Sequence, residues 1–377
     1  MSDSHFIGKA RPEIYDEQIQ AKQTRLTEQF SRFNPPQLEV FASEASNFRY
    51  RAEFKIWHDG DRSFYAMFDP LEPRTPVEIT DFSIGSTLIT QLMPKLLEQI
   101  HLFPELRNRL FQIEFLTTLK GQALVTLIYH RKLDEQWEQC AQKLEPLLNI
   151  QVIGRSRKQR IVLSKEYIEE SFEVQGKTFE YRQYENGFTQ PNAKLCQIML
   201  NWAVEQTKDR SDDLLELYCG NGNFTLPFSL NFKQVLGTEI SKTSVKAANE
   251  NIELNKLDNV FIYKMSAEDF SNALLPNATG LARKVDEATI SRRIKRMDLS
   301  QFNFKSVFVD PPRAGLDVDS VELVRQFDCI LYVSCNPDTL EQNIDLLSDT
   351  HKVVSFAMFD QFPYTHHVET AVKLVRK

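Results

Sequence analysis

Two observations in the sequence predict an α/β protein whose main sheet is mostly parallel. First, seven short apolar segments after residue 212 are separated by segments with helical patterns. Short strands that are apolar on both faces and are joined by helices are typical of a parallel sheet covered on both sides. Second, the first strand runs directly into the glycine turn of "LELYCGNGNFTLPF", and ligands bind at such strand ends. The two observations predict a doubly wound, Rossmann-like domain with a seven-stranded sheet.

The length of the chain indicates a second domain. With 377 residues, the chain is too long for one small core and suits two domains. We place an N-terminal α+β domain over residues 1–183 and the Rossmann-like domain over residues 184–377. The polar, basic segment 271–301 falls between the third and fourth strands of the second domain, and we expect it to be a surface excursion.

The N-terminal domain combines helix and strand patterns. Residues 1–33 carry apolar positions at helical spacing, and "NPP" at 34–36 interrupts the chain. "FRYRAEFKIWHDG" alternates as a strand does, and "FQIEFLTTLKGQALVTLIYH" is typical of a hairpin that turns at Lys120 and Gly121. Two further segments are predicted helices, the first of them with Pro94 as a kink or break: "IGSTLITQLMPKLLEQI" and "DEQWEQCAQKLEPLL".

The second domain begins with a helix, and its strands follow. In "NAKLCQIMLNWAVEQ", five apolar residues share one helical face: Leu195, Ile198, Met199, Trp202 and Ala203. The predicted strands are "DLLELYC", "QVLGTE", "VFIYKM", "SVFVDP", "CILYVSC", "VVSFAMF" and "ETAVKLV".

Composition excludes several classes of protein. No apolar run approaches the ~18 residues of a membrane span, and the N-terminus lacks the apolar region of a secretory signal, so we expect a cytoplasmic protein. The five cysteines are scattered, none precedes Cys140 and no C-x-x-C pair occurs. Zinc, an iron–sulfur cluster and a disulfide framework are therefore not expected.

The charge pattern leaves nucleic acid open as a partner. The formal net charge is −7, but affinity for phosphates depends on a local basic face rather than on the total. Two local basic runs occur, "GRSRKQR" at 154–160 and "SRRIKR" at 291–296. A charge run is more often a solvated face, so each run is only a weak indication of RNA contact.

The glycine turn and the next strand end favour an adenosine-bearing cofactor. Gly220 and Gly222 let the backbone approach a ligand, and Asn223 adds a polar side chain. Glu239 ends the second strand, where a carboxylate can accept hydrogen bonds from ribose hydroxyls. The dinucleotide fingerprint requires a third glycine where this chain has Thr225, which favours S-adenosylmethionine over a nicotinamide cofactor.

The carboxyl ends of the fourth and fifth strands supply reactive side chains. "VFVDPPRAGLD" ends its strand with Asp310 and a stiff Pro-Pro-Arg turn, and "CILYVSCNP" ends its strand with Cys335 and an Asn-Pro stop. Strand ends of this kind face the ligand cleft. A lone cysteine is usually a packing residue, but a thiol beside the Asp310 loop is a candidate nucleophile.

Two further segments contribute candidates. In "HHVETAVKL", Glu369 begins a strand that returns antiparallel to the cleft, where its carboxylate is a candidate base. His366 and His367 have no evident third ligand, so a metal site is not predicted. In "GFTQPN", Gln190 is placed to contact a base or the cofactor, while Asn192 can equally be a helix cap.

Taken in order, six segments resemble the RNA uridine-5-methyltransferases that use S-adenosylmethionine: "GFTQPN", "LYCGNGNFTLPF", "GTEIS", "DPPRAGLD", "YVSCNP" and "HHVETAVKL". The resemblance covers about residues 184–377. It implies S-adenosylmethionine as the cofactor, Cys335 as the nucleophile and Glu369 as the proton acceptor. It also implies cofactor contacts by five residues: Gln190, Tyr218, Asn223, Glu239 and Asp310.

The chemistry of uracil independently requires a thiol and a base. C5 of uracil is a poor carbon nucleophile, and a thiolate that adds at C6 places the required electron density on C5. A base must then remove the C5 proton so that the thiolate can leave. The cleft is predicted to offer both groups in Cys335 and Glu369, and the charge of Arg313 is expected to favour the thiolate.

Within the family, two absences favour the members that act on tRNA. Ribosomal-RNA relatives typically carry an N-terminal cysteine cluster and often a small β-barrel, and neither pattern is present. The resemblance therefore implies the T arm of tRNA as the partner, with the tRNA-like part of tmRNA, and no feature indicates an obligate protein partner or a membrane. Arg49 and Arg51, which flank Tyr50, are candidates for RNA contact. The alternatives are the same reaction on ribosomal RNA, and a tRNA-folding factor in which methylation is secondary.

Overall fold

The computed structural model of the protein describes residues 7–69, 71–274 and 299–377. These residues form two compact units. The first unit contains the described residues within Met1–Asp16, Glu44–Ser171 and Tyr181–Lys194, and the second contains those within Glu17–Ser43, Phe172–Glu180 and Leu195–Lys377.

Seventeen strands and eleven α-helices lie in this described part of the chain. The strands are β1 Glu39–Phe41, β2 Arg51–Asp59, β3 Arg62–Phe68, β4 Pro76–Glu78, β5 Leu110–Thr117, β6 Ala123–Tyr129, β7 Gln151–Ser156, β8 Gln159–Val162, β9 Tyr167–Val174, β10 Lys177–Tyr184, β11 Asp213–Leu217, β12 Val235–Glu239, β13 Val260–Lys264, β14 Phe304–Val309, β15 Cys329–Ser334, β16 His351–Phe359 and β17 Glu369–Arg376. The helices are Tyr15–Phe30, Thr87–Leu102, Pro104–Arg107, Glu135–Gln142, Leu144–Leu148, Ala193–Glu205, Thr225–Phe228, Lys242–Leu254, Ala267–Leu274, Val318–Val324 and Pro337–Leu347.

The second unit is built on an eight-stranded sheet in the order β1-β16-β17-β15-β14-β11-β12-β13. All its strand pairs are parallel except those of β17, which runs antiparallel to both β15 and β16. The seven predicted strands are confirmed as β11 to β17. The strand order reverses between β11 and β14, and such a switch point opens a ligand crevice at the carboxyl ends of the strands.

Residues 17–43 differ from the prediction, which placed them in the N-terminal domain with one boundary between 183 and 184. Leu26 and Phe30, on the helix Tyr15–Phe30, are buried in the hydrophobic core of the second unit. The Phe30 ring lies 5.2 Å from that of Phe356, and β1 adds an eighth strand beside β16. The sequence showed an apolar stripe at helical spacing, but a stripe does not specify the surface that covers it.

The first unit contains a seven-stranded sheet in the order β4-β3-β2-β5-β6-β7-β8. Its neighbours are antiparallel except for the parallel pair β6 and β7. The helix Thr87–Leu102 supplies five buried residues to the core, and it continues through Pro94 without a break. The predicted β2 strand and the β5–β6 hairpin are confirmed, whereas β3, β4, β7 and β8 were not predicted.

Only one of the two basic runs lies within the described residues. "GRSRKQR" forms the end of β7, a turn and the start of β8, with Lys158 in a left-handed conformation (φ 61°). Arg155 and Arg160 of this run form ion pairs with Glu185, which neutralises part of its charge. "SRRIKR" lies outside the described residues, as does most of the predicted surface excursion 271–301.

None of the helices in the described part of the chain has the length and hydropathy needed to cross a bilayer.

We expect Leu26→Ala to lower the free energy of unfolding by about 2–5 kcal/mol, because it removes a fully buried side chain from the core. The measurement is chemical denaturation followed by circular dichroism. Leu102→Ala is the matched control, since Leu102 is 62% exposed and surface substitutions change stability by about 0.5 kcal/mol or less. Equal stability of the two variants would contradict the packing of this helix against the core.

Candidate active site

The carboxyl ends of the central strands bring together the thiol and the two carboxyl groups that the sequence predicts. Asp310 directly follows β14, and Cys335 directly follows β15. Since Ser334 pairs with Thr370 in the antiparallel β15–β17 ladder, the next position places Cys335 beside Glu369, the first residue of β17. The antiparallel direction of β17 delivers Glu369 to the edge where the parallel strands end.

The Asn-Pro stop after Cys335 fixes the neighbouring Pro-Pro-Arg turn. Asn336 caps the helix Pro337–Leu347, with its Oδ1 accepting from the backbone N–H of Asp338 at 3.2 Å. Its Nδ2 donates to the carbonyl oxygen of Arg313 at 2.9 Å. The helix therefore anchors both the strand end that carries Cys335 and the turn that follows Asp310.

The same helix holds the end of that turn through Asn343. Asn343 Oδ1 accepts from the backbone N–H of Leu316 at 2.9 Å, and Asn343 Nδ2 donates to the carbonyl oxygen of Leu316 at 3.2 Å. Gly315 adopts φ 75°, and a Cβ there would lie 2.8 Å from Asn343 Oδ1. Glycine is therefore required for this close approach.

Burial raises the pKa of all three reactive groups. It raises the pKa of Asp310 to about 7 and the pKa of Glu369 well above its ordinary value, with Asp310 adding to the effect on Glu369. Burial, then Glu369 and then Asp310 raise the pKa of the Cys335 thiol to about 11, while the charge of Arg313 lowers it. Arg313 acts in the predicted direction, but burial and the two carboxyl groups outweigh it, so the thiol is protonated at neutral pH in this state.

Glu239 already organises the glycine turn. Its Oε2 accepts from the backbone N–H of Gly220 at 3.0 Å, and its Oε1 accepts from the backbone N–H of Ser241 at 2.6 Å. Each carboxylate oxygen retains a further lone pair for a ligand hydroxyl. Gly222 adopts φ 85°, and a Cβ there would lie 2.6 Å from the Leu226 side chain, so this turn also requires glycine.

Tyr218 and Asn223, the other predicted cofactor contacts of this turn, have protein partners in this structure. Tyr218 is left-handed (φ 63°), and its hydroxyl interacts with Ser320 on the helix Val318–Val324. Asn223 Nδ2 lies 3.4 Å from Cys196 Sγ. Their contacts with a cofactor remain predictions.

Gln190 belongs to the first unit, where a loop of residues 185–192 carries it. Arg51 supports this loop by donating to the carbonyl oxygens of Gly187 at 2.5 Å and Glu185 at 2.7 Å. Gln190 is buried, and its Oε1 has no hydrogen-bond partner among the described residues. Such an unpaired buried oxygen suits a ligand contact, and the predicted role of Gln190 remains a prediction.

Glu216 is a site residue that the sequence reasoning missed. It lies within β11 and is 1% exposed. Burial raises its pKa well above the ordinary value, and Asp310 adds to the effect while Thr225 opposes it. A glutamate inside the otherwise apolar segment "LLELY" was the available signal, because an acidic residue within a buried parallel strand requires an explanation.

The histidine pair lies beside the Pro-Pro-Arg turn. The ring centroids of His366 and His367 are 4.0 Å apart, and Arg313 Nη2 lies 3.1 Å from His367 Nδ1. Burial, then the cations around it, lower the pKa of His367, so its ring is neutral at neutral pH and Nδ1 can accept from Arg313. Within the described ranges, no three histidine, cysteine or acidic side chains are grouped as metal ligands.

The strand order and the glycine turn define a Rossmann-like, cofactor-binding enzyme fold. A solved structure with this fold is the Pyrococcus abyssi tRNA (uracil-54, C5)-methyltransferase in complex with S-adenosyl-L-homocysteine. It matches with a TM-score of 0.71 at 19% identity, over 96% of this chain and 83% of that chain. At this identity, the similarity establishes the fold.

Sequence comparison establishes the family. The profile of the tRNA (Uracil-5-)-methyltransferase family matches residues 14–377. Curated tRNA/tmRNA (uracil-C(5))-methyltransferases are similar over nearly their whole length: that of Saccharophagus degradans is 51% identical over 98% of this chain and 99% of its own, and that of Acinetobacter baylyi is 50% identical over 96% and 99%. The chain belongs to the tRNA (uracil-5-)-methyltransferase family.

We expect Arg313→Met to raise the pKa of the Cys335 thiol further, because it removes the charge that lowers that pKa. The measurement is alkylation of Cys335 by iodoacetamide near pH 8.5, followed by peptide mass spectrometry. Removing an exposed charge shifts a neighbouring pKa by a few tenths of a unit, so the alkylation rate should fall about two- to threefold. Arg325→Met is the control, because Arg325 pairs with Asp349 instead. Unchanged or faster alkylation in Arg313→Met would contradict this influence on the thiol.

Proposed function

We propose that the protein uses S-adenosylmethionine to methylate C5 of the T-loop uridine of tRNA, uridine 54, and the equivalent uridine of tmRNA. The observation that carries the proposal is the proximity of Cys335 and Glu369 at the end of a Rossmann-like sheet, one position beyond the Ser334–Thr370 pair. The names of the 50–51% identical relatives support the substrate. The Pyrococcus abyssi enzyme with the same fold is a tRNA (uracil-54, C5)-methyltransferase whose structure contains S-adenosyl-L-homocysteine. We also propose a cytoplasmic location, which a tRNA-modifying role supports.

Cys335 carries the first step. Its thiolate adds to C6 of the uracil, the C5–C6 double bond moves into the enolate, and C5 becomes nucleophilic. S-adenosylmethionine, when bound, supplies the electrophilic methyl group that C5 accepts. Because the thiol pKa is about 11 in this state, the thiolate would form as the sulfur adds to C6. Asp310 would receive the thiol proton and return it when the thiolate leaves, so that Glu369 stays ionised for the C5 proton.

Glu369 completes the reaction. Its carboxylate removes the proton from C5, the C5–C6 double bond returns, and the electron pair of the C6–S bond goes back to Cys335. Burial and Asp310 raise the pKa of Glu369, which makes the ionised carboxylate a stronger base than a solvated glutamate. The carboxylate at this buried strand end is therefore suited to proton transfer from carbon.

The cofactor site is proposed at the glycine turn. Glu239 would bind the ribose hydroxyls, and the open space beside Gly220, where a Cβ would meet nothing within 4 Å, would admit the nucleoside. Tyr218, Asn223, Asp310 and Gln190 complete the proposed set. Asp310 acts on the pKa of both Glu216 and Cys335, so a cofactor bound by Asp310 would be close to the thiol.

The first unit is proposed to bind the RNA. Three side chains at one place on its surface combine charge and flat rings: Lys55 Nζ lies 4.0 Å from the Phe111 ring centroid, and Phe111 stacks on the exposed His130 at 4.0 Å. Basic and aromatic side chains of this kind contact phosphates and unstacked bases. Extruding a base from its stack costs a few kcal/mol, which these contacts would offset.

We expect Cys335→Ala to abolish methyl transfer while leaving S-adenosylmethionine binding largely intact. The measurement is transfer of labelled methyl to purified tRNA, with the modified nucleotide mapped and cofactor binding followed by calorimetry. Cys140→Ala, in the first unit, is the matched control and should keep full activity. Full activity of Cys335→Ala would overturn the mechanism, and labelling of ribosomal RNA instead of tRNA would overturn the substrate.

Glu369→Gln should accumulate a covalent complex between the protein and methylated RNA, because addition and methyl transfer proceed while the C5 proton stays in place. The complex should be visible as a shifted band on a denaturing gel, and it should be absent from the double variant Cys335→Ala/Glu369→Gln. If Glu369→Gln turned over at the wild-type rate, another group would have to be the base.

A further inference from the structure

A short connection delivers Glu369 to the thiol. Residues 360–368, called here the 360–368 segment, join the end of β16 to the start of β17. Phe359 and Glu369 pair across the two strands, so the segment leaves and re-enters the sheet at the site. Any displacement of the segment at this edge moves the residue that follows it.

Three side chains from one face of the helix Tyr15–Phe30 hold this segment. Gln18, Lys22 and Arg25 are spaced four and three residues apart, so they project from the same side of the helix. Gln18 Nε2 donates to Asp360 Oδ2 at 2.8 Å, and Lys22 Nζ donates to Asp360 Oδ1 at 2.6 Å. Lys22 Nζ also donates to the carbonyl oxygen of Phe362 at 3.0 Å, and Arg25 Nη2 donates to that of His366 at 3.1 Å.

The central contact of this set is a buried ion pair. The side chain of Lys22 is 5% exposed and that of Asp360 is 0% exposed. Burial lowers the pKa of Lys22, and Asp360 opposes that shift. Burying two charges is costly, and apolar residues of similar size usually stabilise a core as well or better.

Stability of the helix does not require this ion pair. Leu26 and Phe30 already anchor the helix in the core through fully buried apolar side chains. The pair instead fixes the position of the segment. Charged hydrogen bonds have a preferred geometry, so they hold the backbone at the start of the segment, where an apolar contact would allow it to slide.

The far end of the segment reaches the thiol by a second route. His367 accepts from Arg313, whose charge lowers the pKa of Cys335. The end of the segment thus carries His367, the partner of the arginine that faces the nucleophile, and leads directly into the base, Glu369.

We propose that Lys22 and Asp360 are positioning residues for the reaction, acting through the 360–368 segment to hold Glu369 where it removes the C5 proton. The inference rests on the proposed function for its substrate. In that step the C5–H bond breaks toward Glu369 and the C6–S bond breaks toward Cys335, so a misplaced Glu369 slows release of the RNA from the enzyme.

The test uses the double variant Lys22→Met/Asp360→Leu, because an apolar pair keeps the fold where a lone buried charge would not. Its thermal unfolding should stay close to that of the wild type. We expect kcat for tRNA methylation to fall by about 10- to 100-fold, as misplaced catalytic groups cost, with KM values nearly unchanged. The methylated covalent complex should accumulate on a denaturing gel, as in Glu369→Gln.

Arg32→Met is the matched control, since Arg32 follows the same helix and its ion pairs with Glu341 and Asp345 are exposed. It should turn over like the wild type. Wild-type kcat in the double variant would overturn the proposal. A loss of activity through a raised KM, without the covalent complex, would overturn it as well.

A second readout needs neither RNA nor cofactor. Burial and Glu369 are the two largest causes of the raised pKa of Cys335, so loosening the segment should lower that pKa and speed alkylation of Cys335 by iodoacetamide. An alkylation rate identical to that of the wild type would overturn the proposal whatever the activity. If Cys335→Ala still methylated RNA, the proposed function would fail, and alkylation would still decide the role of Lys22 and Asp360.

Discussion

The antiparallel position of β17 between β15 and β16 is the constraint on which the site depends. In a wholly parallel sheet, the ligand edge receives residues only from strand ends, and each connection back to it requires a crossover. Because β17 runs the other way, its first residue arrives at the same edge after a short segment. Glu369 therefore reaches the thiol as the first residue of a strand that is paired with Phe359 of β16, whereas a loop residue would lack such a partner.

That placement is electrostatically unfavourable, as the pKa values of four groups show. Cys335, Glu369, Asp310 and Glu216 all have raised pKa values, and burial is the largest cause for each. Acidic groups packed this closely are disfavoured as anions, so these groups hold their protons more tightly than solvated carboxyl and thiol groups do. Such clusters are characteristic of functional sites. The apolar residues of the surrounding sheet supply the stability that these groups do not.

Much of this arrangement could be predicted because it follows from strand ends. Apolar segments gave the seven strands, and the rule that parallel strands present their carboxyl ends together placed Asp310 beside Cys335. The sequence could not show which surfaces pack against each other. The apolar stripe of Leu26 and Phe30 was visible in the sequence, but the core into which it packs was not.

The remaining misses have related physical causes. Lys22 and Asp360 are ordinary charged residues at opposite ends of the chain, and only the fold makes them a buried pair. The strands β7 and β8 were hidden by their arginines and lysine, which resemble a solvated charge run. The direction of side chains such as Tyr218 and Asn223 depends on local backbone angles that periodicity does not specify.

The pairing of β1 with β16 makes assembly of the second unit a late event. Glu39 to Phe41 join their neighbours Ala357 to Phe359 in parallel, so the edge strand is synthesised long before its partner. The intervening chain must be complete before the early segment can leave solvent. Closing so long a loop costs entropy, and contacts this distant in sequence slow folding. A fragment cut between the predicted domains would also lose an edge strand and a core helix, so the catalytic sheet depends on segments that lie far apart in the sequence.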